Sequence, residues 1–177
     1  MWPRNLLAVI AFCLLSGCQS QKPLETVGYV DLQRFMGDWY VIANIPTFLE
    51  KNAYNPIESY ALDTDGSIAT TFSFNADSLD GEKKVYYPRG FVKNTDTNAE
   101  WGMQFLWPIK ADYRIVYLDS NYQFTVIGRN KRDYVWIMAR NPTISVKMLS
   151  ELTQFVGSIG YDIDQLELAS HKSSLNH

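Results

Sequence analysis

Eight short segments with the alternating apolar pattern of β-strands follow one another along the middle of the sequence. Turn-forming stretches such as Asp63-Thr64-Asp65-Gly66 separate them. The segments cover residues 39–45, 58–62, 67–75, 84–92, 100–107, 112–119, 122–128 and 133–140. A sheet of eight antiparallel strands can close around one small ligand, and closure leaves no exposed edge. The sequence, 177 residues long, therefore predicts an all-β domain built as an eight-stranded antiparallel up-and-down barrel.

Three other segments are expected to cover this barrel. Apolar residues recur at helical spacing from Val146 to Ile159, after the capping sequence Asn141-Pro142-Thr143, and predict a C-terminal α-helix packed outside the barrel. Residues 31–36 predict a short turn of helix that plugs one end. Residues 46–56 have a proline at each end and no clean periodicity, so we expect a long loop that acts as a lid.

The N-terminus has the features of an export signal. Arg4 precedes an apolar run, residues 6–15, that is too short to span a bilayer comfortably. The sequence Leu15-Ser16-Gly17-Cys18 resembles the bacterial lipoprotein box, in which the cysteine is acylated and becomes the new N-terminus. The same resemblance implies sorting to the outer membrane, because Gln19 and not an aspartate follows the cysteine. The alternative is an ordinary secretory signal in which Cys18 is incidental.

These features divide the chain into four parts. Residues 1–17 are predicted to be a lipoprotein signal peptide, and residues 18–26 a tether that connects the acylated Cys18 to the domain. Residues 27–169 are predicted to form the barrel domain. Residues 170–177 are expected to be a flexible tail.

The residue inventory argues against catalysis and nucleic-acid binding. Cys13 leaves with the signal peptide and Cys18 would carry lipid, so no thiol or disulfide is expected in the domain. The histidines, His171 and His177, lie in the polar tail, so we expect no Ser-His-Asp, Cys-His or His-metal site in the barrel and no cofactor. Paired carboxylates stay open as an enzymatic alternative. The net charge of −3, without a basic stripe, disfavours nucleic acid.

Aromatic residues are abundant, with 11 Tyr, 9 Phe and 5 Trp. If side chains alternate along each strand, a largely apolar set faces inward. This set is expected to include Tyr60, Phe72, Phe74, Phe91, Met103, Phe105, Trp107, Tyr113, Tyr117, Tyr134, Trp136 and Met138. It favours a cavity for a molecule with a hydrocarbon tail and a polar head, although the same residues could instead fill the barrel. A bulge near Gly90 or Gly102 would invert the assignment. Arg89 and Arg114 are candidates to meet an anionic head group.

Gly37 and Trp39 open the first strand, and Arg140 ends the last. Glycine allows a positive φ at the strand entry, and a guanidinium can stack on an indole, so we expect Arg140 to cover Trp39. A Gly-x-Trp sequence on the first strand with an arginine ending the last resembles the signature of the lipocalin family. The resemblance spans residues 27–169 and is closest to bacterial outer-membrane lipocalins and apolipoprotein D. It implies that Gly37, Trp39 and Arg140 close the narrow end of the barrel.

The resemblance also implies a function. We expect non-enzymatic binding, storage or transport of a fatty acid or lysophospholipid by a protein anchored at Cys18 in the outer membrane, facing the periplasm and supporting membrane maintenance. One alternative is an envelope interaction module with a filled barrel, and another is an enzyme acting on lipid. The sequence leaves open whether two copies form a homodimer.

Overall fold

The computed structural model describes residues 22–172 of the chain. Its two α-helices are α1 (Leu32–Phe35) and α2 (Val146–Ser158), followed by a 3-10 turn at Ile163–Gln165. The strands are β1 (Gly37–Ile45), β2 (Ala53–Leu62), β3 (Ile68–Ala76), β4 (Lys83–Tyr86), β5 (Arg89–Val92), β6 (Glu100–Leu106), β7 (Ile109–Leu118), β8 (Phe124–Gly128), β9 (Val135–Ala139) and β10 (Glu167–Leu168). Among these residues, no helix is both long and apolar enough to cross a membrane.

The strands form one antiparallel sheet that closes on itself. Each strand pairs with the next along the barrel, and β9 pairs with β1 through contacts such as Tyr40 with Ala139. Strands β4 and β5 both pair with β3 and are separated only by Tyr87 and Pro88, so they act as one interrupted strand. The predicted eight-stranded antiparallel barrel is therefore confirmed. The short β10 pairs with Ala43 and Asn44 of β1, beyond the residues of β1 that pair with β2.

The C-terminal helix packs outside the barrel, as the apolar spacing predicted. Ser145, rather than the earlier Asn141-Pro142-Thr143 sequence, is its N-cap, because the Ser145 side chain accepts a hydrogen bond from the Met148 amide. Leu152 and Val156 are its buried residues. They belong to a core layer formed with outward-facing side chains of the barrel, such as Val126 and Ile137 in β8 and β9.

A second core layer lies inside the barrel at the end covered by α1. Asp31 caps this helix, and its side chain accepts hydrogen bonds from the amides of Gln33 and Arg34. Phe35 of α1 lies edge-on to Trp101 of β6, with ring centroids 5.5 Å apart. The Trp39 indole donates a hydrogen bond to the Phe35 carbonyl oxygen at 2.9 Å. Helix α1 and these aromatic rings fill this end of the barrel, which we call the closed end.

Arg140 lies across this closed end. Its guanidinium carbon is 3.8 Å from the centroid of the Trp39 indole ring. A Cβ added to Gly37, which has φ +94°, would lie 3.4 Å from an Arg140 nitrogen. The Arg140 side chain donates hydrogen bonds of 2.7 to 3.3 Å to the carbonyl oxygens of Arg34, Phe35, Met36, Asp38 and Tyr122. One side chain thus joins α1, β1 and the loop before β8.

The expected tether is wrong for its described part, residues 22–26. The Leu24 side chain is buried between the barrel and α2, and its amide donates to the Asn130 side chain at 2.8 Å. Arg132 donates to the Lys22 carbonyl oxygen at 2.9 Å. A free tether ending at residue 26 would leave Leu24 in water, so burial of this side chain fixes the segment on the barrel. Cys18 and the predicted signal peptide, residues 1–17, lie outside the described residues.

The beginning of the expected tail is also docked. The Asn55 amide donates to the Ser170 carbonyl oxygen at 2.7 Å. A ring nitrogen of His171 lies 2.7 Å from the carbonyl oxygen of Val41. Residues 170–172 therefore cover the strands β1 and β2 instead of forming a flexible tail, and residues 173–177 lie outside the described range.

Replacing Arg140 with alanine should destabilise the protein strongly. The change removes charge-assisted hydrogen bonds and the cation–π contact with Trp39, so we expect a loss of about 3 kcal/mol in the free energy of unfolding. Arg89→Ala is the matched control, because the exposed ion pair of Arg89 with Asp63 should contribute less than about 1 kcal/mol. Urea unfolding measures both. Equal losses would contradict the role assigned to Arg140.

Candidate functional site

The end of the barrel opposite α1 is hollow. A cavity of about 390 Å³ lies there and opens to solvent. Its wall is largely apolar and comes from β3, β6, β7 and β9, and residues 47–50 of the loop between β1 and β2 cover part of its mouth. This volume is within the range of about 300 to 1,000 Å³ that small-molecule sites occupy. The barrel is thus packed at its closed end and open at the other.

Half of the predicted inward-facing side chains line this cavity. These are Phe72, Met103, Phe105, Tyr113, Tyr134 and Trp136. They come from β3, β6, β7 and β9 and, for Tyr134, from the residue just before β9, so only closure of the sheet brings them together. Whether they contact a ligand stays a prediction.

Three others face inward but do not line the cavity. Tyr60 and Met138 belong to the packed layer toward the closed end, where they fill the barrel together with Trp101. Phe74 is buried against Phe72 and Tyr86, with ring centroids 5.4 and 6.1 Å away.

The inward assignment of Tyr117 is wrong, because a β-bulge inverts the alternation in β7. Ile115 pairs with Ile127, but Tyr117 pairs with Val126, so one extra residue lies in β7 between the two pairs. Tyr117 consequently faces α2, and its ring centroid is 5.4 Å from that of Phe155.

Phe91 is also wrongly assigned, for a different reason. Strands β4 and β5 keep one register along β3, in which Tyr86 pairs with Phe72 and Gly90 pairs with Ile68. Gly90 faces inward in this register, where an added Cβ would lie 3.2 Å from the Ile68 side chain. Phe91 therefore points outward, and the Lys110 ammonium lies 3.4 Å from its ring centroid.

Trp107 lies beyond the strand that was expected to hold it. Strand β6 ends at Leu106, and Trp107 occupies the turn before β7, with its side chain 82% exposed. It is at the rim of the open end and not in the wall. Arg89 and Arg114 are engaged outside the cavity, in ion pairs with Asp63 and Glu100 respectively.

Glu50 holds the predicted lid against the cavity wall. One oxygen of its buried carboxylate accepts a hydrogen bond from the Trp136 indole at 2.6 Å, and the other accepts one from the Thr47 amide at 2.8 Å. Phe48 and Leu49 beside it also line the cavity. No local sequence pattern indicates that a carboxylate in this loop turns inward and accepts a hydrogen bond from an indole.

A chain of three hydrogen-bonding side chains forms the polar part of the cavity floor. Tyr60 donates to the Glu58 carboxylate, and the hydroxyl oxygens of Tyr60 and Tyr113 are 2.6 Å apart. When Glu58 is ionised, the single hydroxyl hydrogen of Tyr60 is used toward it, so Tyr113 donates to Tyr60. Burial raises the pKa of both tyrosines, so both stay hydrogen-bond donors. Glu58 was readable from the sequence, since it lies two residues before the inward-facing Tyr60 on the same strand.

Glu58 is a buried acid. Burial raises its pKa to about 7, the hydrogen bond from Tyr60 lowers it, and the charge of Glu50 raises it further. Near neutral pH the floor therefore changes between a neutral carboxyl and a carboxylate. Among residues 22–172 there is no group of three or more Asp, Glu, His or Cys side chains that could hold a metal ion.

Arg129 carries the positive charge in the lining of the cavity mouth, as far as the described residues show. Its guanidinium carbon lies 5.1 Å from the ring centroid of Tyr134, and one terminal nitrogen is 3.3 Å from the Asp133 carboxylate. Its Nε atom is buried without a hydrogen-bond partner in the described structure. Glu50 and Glu58 lie deeper in the cavity, whereas Arg129 lies at its rim. An anionic group is therefore more favourably placed at the mouth than inside the cavity.

Glu58→Gln should reduce the dependence of stability on pH. The pKa of Glu58 is about 7 in the folded protein against an ordinary 4.5, so the folded state binds the proton more tightly. Its stabilising contribution is full below about pH 4.5 and is lost as the pH rises to about 7, with a loss on the order of 3 kcal/mol.

Urea unfolding between about pH 4.5 and 8 compares the two proteins. The stability of the variant should rise relative to wild type as the pH increases. Glu82→Gln, at an exposed position, is the control and should follow wild type. Parallel pH profiles of Glu58→Gln and wild type would show that Glu58 keeps an ordinary pKa.

The sequence comparisons agree with this geometry. The family described as "Lipocalin-like domain" matches residues 30–171. The chain is 29% identical over 161 residues to temperature-induced lipocalin-1 of Arabidopsis thaliana, covering 82% of each protein. It is 28% identical over 163 residues to outer membrane lipoprotein Blc of Citrobacter freundii, covering 90% of this chain and 91% of that protein.

The structural comparison gives the same fold. Insecticyanin from the tobacco hornworm Manduca sexta aligns with a TM-score of 0.67 and 15% sequence identity, over 86% of this chain and 87% of that one. The domain family matches most of the chain, and the structure is the closed barrel with an outer helix. The chain belongs to the lipocalin family, whose members are generally non-enzymatic proteins that bind or transport small hydrophobic ligands.

Proposed function

We propose that this protein binds and carries a lipid with a single acyl chain, a fatty acid or a lysophospholipid, in the open half of its barrel. The observation that carries the proposal is the cavity of about 390 Å³, walled mainly by apolar side chains and open at one end. Burial of each methylene group contributes about 0.8 kcal/mol, so an acyl chain gains enough to offset the cost of ordering it.

The charges around the cavity favour one orientation of such a ligand. Phe72 and Met103 provide apolar contact within the wall, whereas Glu50 and Glu58 would repel an anionic group placed deep inside. Arg129 at the mouth can pair with a carboxylate or phosphate there. The acyl chain therefore enters first, and the head group stays at the rim.

The same proposal includes anchoring at the outer membrane. Support comes from Leu15-Ser16-Gly17-Cys18 and the apolar run before it, together with the similarity to a protein named outer membrane lipoprotein Blc. Acylation of Cys18 would hold the domain at the periplasmic face, next to membrane lipids. Carriage of such lipids there would support membrane maintenance without a catalytic step.

The alternative of an interaction module with a filled barrel has less support. The rings of Phe35, Trp39 and Trp101 fill the closed end, but they stop short of the open half. A protein that bound partners only through its outer surface would gain nothing from this hollow, because empty apolar volume lowers stability.

Ala111→Trp should abolish most lipid binding. Ala111 lines the cavity, and an indole there would occupy the space of the acyl chain. Ala61→Trp is the matched control, since Ala61 is exposed on β2. Titration with a fluorescent fatty acid should show affinity at least about tenfold weaker for Ala111→Trp, a loss of about 1.4 kcal/mol or more, and unchanged affinity for Ala61→Trp.

Unfolding midpoints of the two variants show whether the folds are intact. If Ala111→Trp is folded and binds the fatty acid as tightly as wild type, the ligand lies elsewhere and the proposed site is wrong.

A further inference from the structure

The open end of the barrel carries large apolar side chains that face solvent. Leu106 and Ile109 flank the turn between β6 and β7 and are 70% and 65% exposed, and Trp107 at the turn is even more exposed. Phe48 of the lid is 78% exposed. We call Phe48, Leu106, Trp107 and Ile109 the apolar rim. A cluster of exposed apolar groups of this size marks a contact with another apolar surface.

The rim surrounds the mouth of the cavity. Phe48, Leu106 and Ile109 line the cavity on one side and face solvent on the other. The lid and the β6–β7 turn therefore lie at the same end of the barrel, although more than fifty residues separate them in the sequence. Whatever covers the apolar rim also covers the entrance for the ligand.

The described N-terminus lies at this same end. The Lys22 carbonyl oxygen accepts a hydrogen bond of 2.9 Å from Arg132, in the loop between β8 and β9. Arg129 and Tyr134 of that loop line the cavity mouth. The chain then runs away from the mouth along β7, since the Val27 amide donates to the Ile115 carbonyl oxygen at 3.0 Å.

Lys22 is the fourth residue after Cys18. A fully extended chain spans at most about 3.6 Å per residue, so Cys18 is no more than roughly 14 Å from Lys22. A strand of ten residues such as β2 is about 33 Å long. An acyl group on Cys18 can therefore reach a bilayer at the open end easily, but not one at the closed end.

Two basic side chains lie at the mouth, on the side where the described N-terminus lies. Lys131 and Arg132 lie in the β8–β9 loop, next to the apolar β6–β7 turn in the order of the barrel, since β7 pairs with β8. Phospholipid head groups attract lysine and arginine near a bilayer, and tryptophan prefers the interface between water and hydrocarbon.

From these placements we propose that the open mouth faces the phospholipid bilayer that holds the lipid anchor, with the apolar rim inserted into the interface. An acyl chain then passes between the bilayer and the cavity without crossing water. This inference rests on the proposed acylation of Cys18 and lipid carriage. It adds the partner surface, a phospholipid bilayer, and the residues that contact it.

Quenching of Trp107 fluorescence by brominated phosphatidylcholine tests the orientation. The full-length protein is expressed with its signal, its acylation is checked by mass spectrometry, and it is reconstituted in vesicles of phosphatidylcholine and phosphatidylglycerol. Emission should be quenched by lipids brominated near the head-group end of the acyl chain. Trp107→Phe should lose most of that quenching, because Trp39 and Trp101 are buried inside the barrel and the Trp136 indole is held in the cavity wall by its hydrogen bond to Glu50.

A kinetic measurement separates this inference from lipid carriage itself. Trp107→Ser, at a rim residue that does not line the cavity, should slow transfer of a fluorescent fatty acid from the vesicles to the protein several-fold, whereas Tyr87→Ser, at an exposed aromatic residue between β4 and β5, should not. If the protein binds fatty acid normally, equal quenching in wild type and Trp107→Phe, or unchanged transfer in Trp107→Ser, would overturn the orientation and leave carriage intact. Loss of binding in wild type would instead contradict carriage, and an unacylated Cys18 would contradict the anchor.

Discussion

Pairing of β1 with β9 converts the sheet into a closed tube, and every feature of the site depends on that closure. An open sheet would expose its apolar face to water or bury it against a second layer. The closed sheet instead surrounds an interior, while α2 covers outward-facing apolar residues such as Val126 and Ile137. The two core layers are therefore separate, so the interior can be partly empty without loss of the layer beneath α2.

The interior is divided along its length by residue size. At the closed end, Phe35, Trp39 and Trp101 fill the tube, and Arg140 bonds to the backbone around them. Toward the mouth, smaller or more widely spaced side chains such as Ala111 and Met103 leave a hollow. Rigid aromatic packing at one end allows space at the other, because an apolar cavity lowers stability and the closed end must offset that cost.

The fold could be predicted from the sequence because alternation, turn residues and helical spacing all indicate the same architecture. The site could be predicted only in part, since alternation says which face a residue occupies but not where a bulge interrupts it. Tyr117 shows this directly, because one extra residue in β7 moved it to the outside. A register shift also interrupts the alternation in β1. By alternation from Trp39, Ala43 would face the interior, but the shift after Val41 places it in the layer beneath α2. The inward position of Glu50 depends on a loop conformation that no local pattern encodes.

The mouth, the lid and the described N-terminus lie at one end of the barrel, and this arrangement links binding to location. A crystal structure of the protein with bound hexadecanoic acid tests the account most directly. It should show the acyl chain between Phe72, Met103 and Tyr113, with the carboxylate at the rim beside Arg129. A ligand on the outer surface, or a cavity closed by side chains in the presence of the fatty acid, would contradict the account.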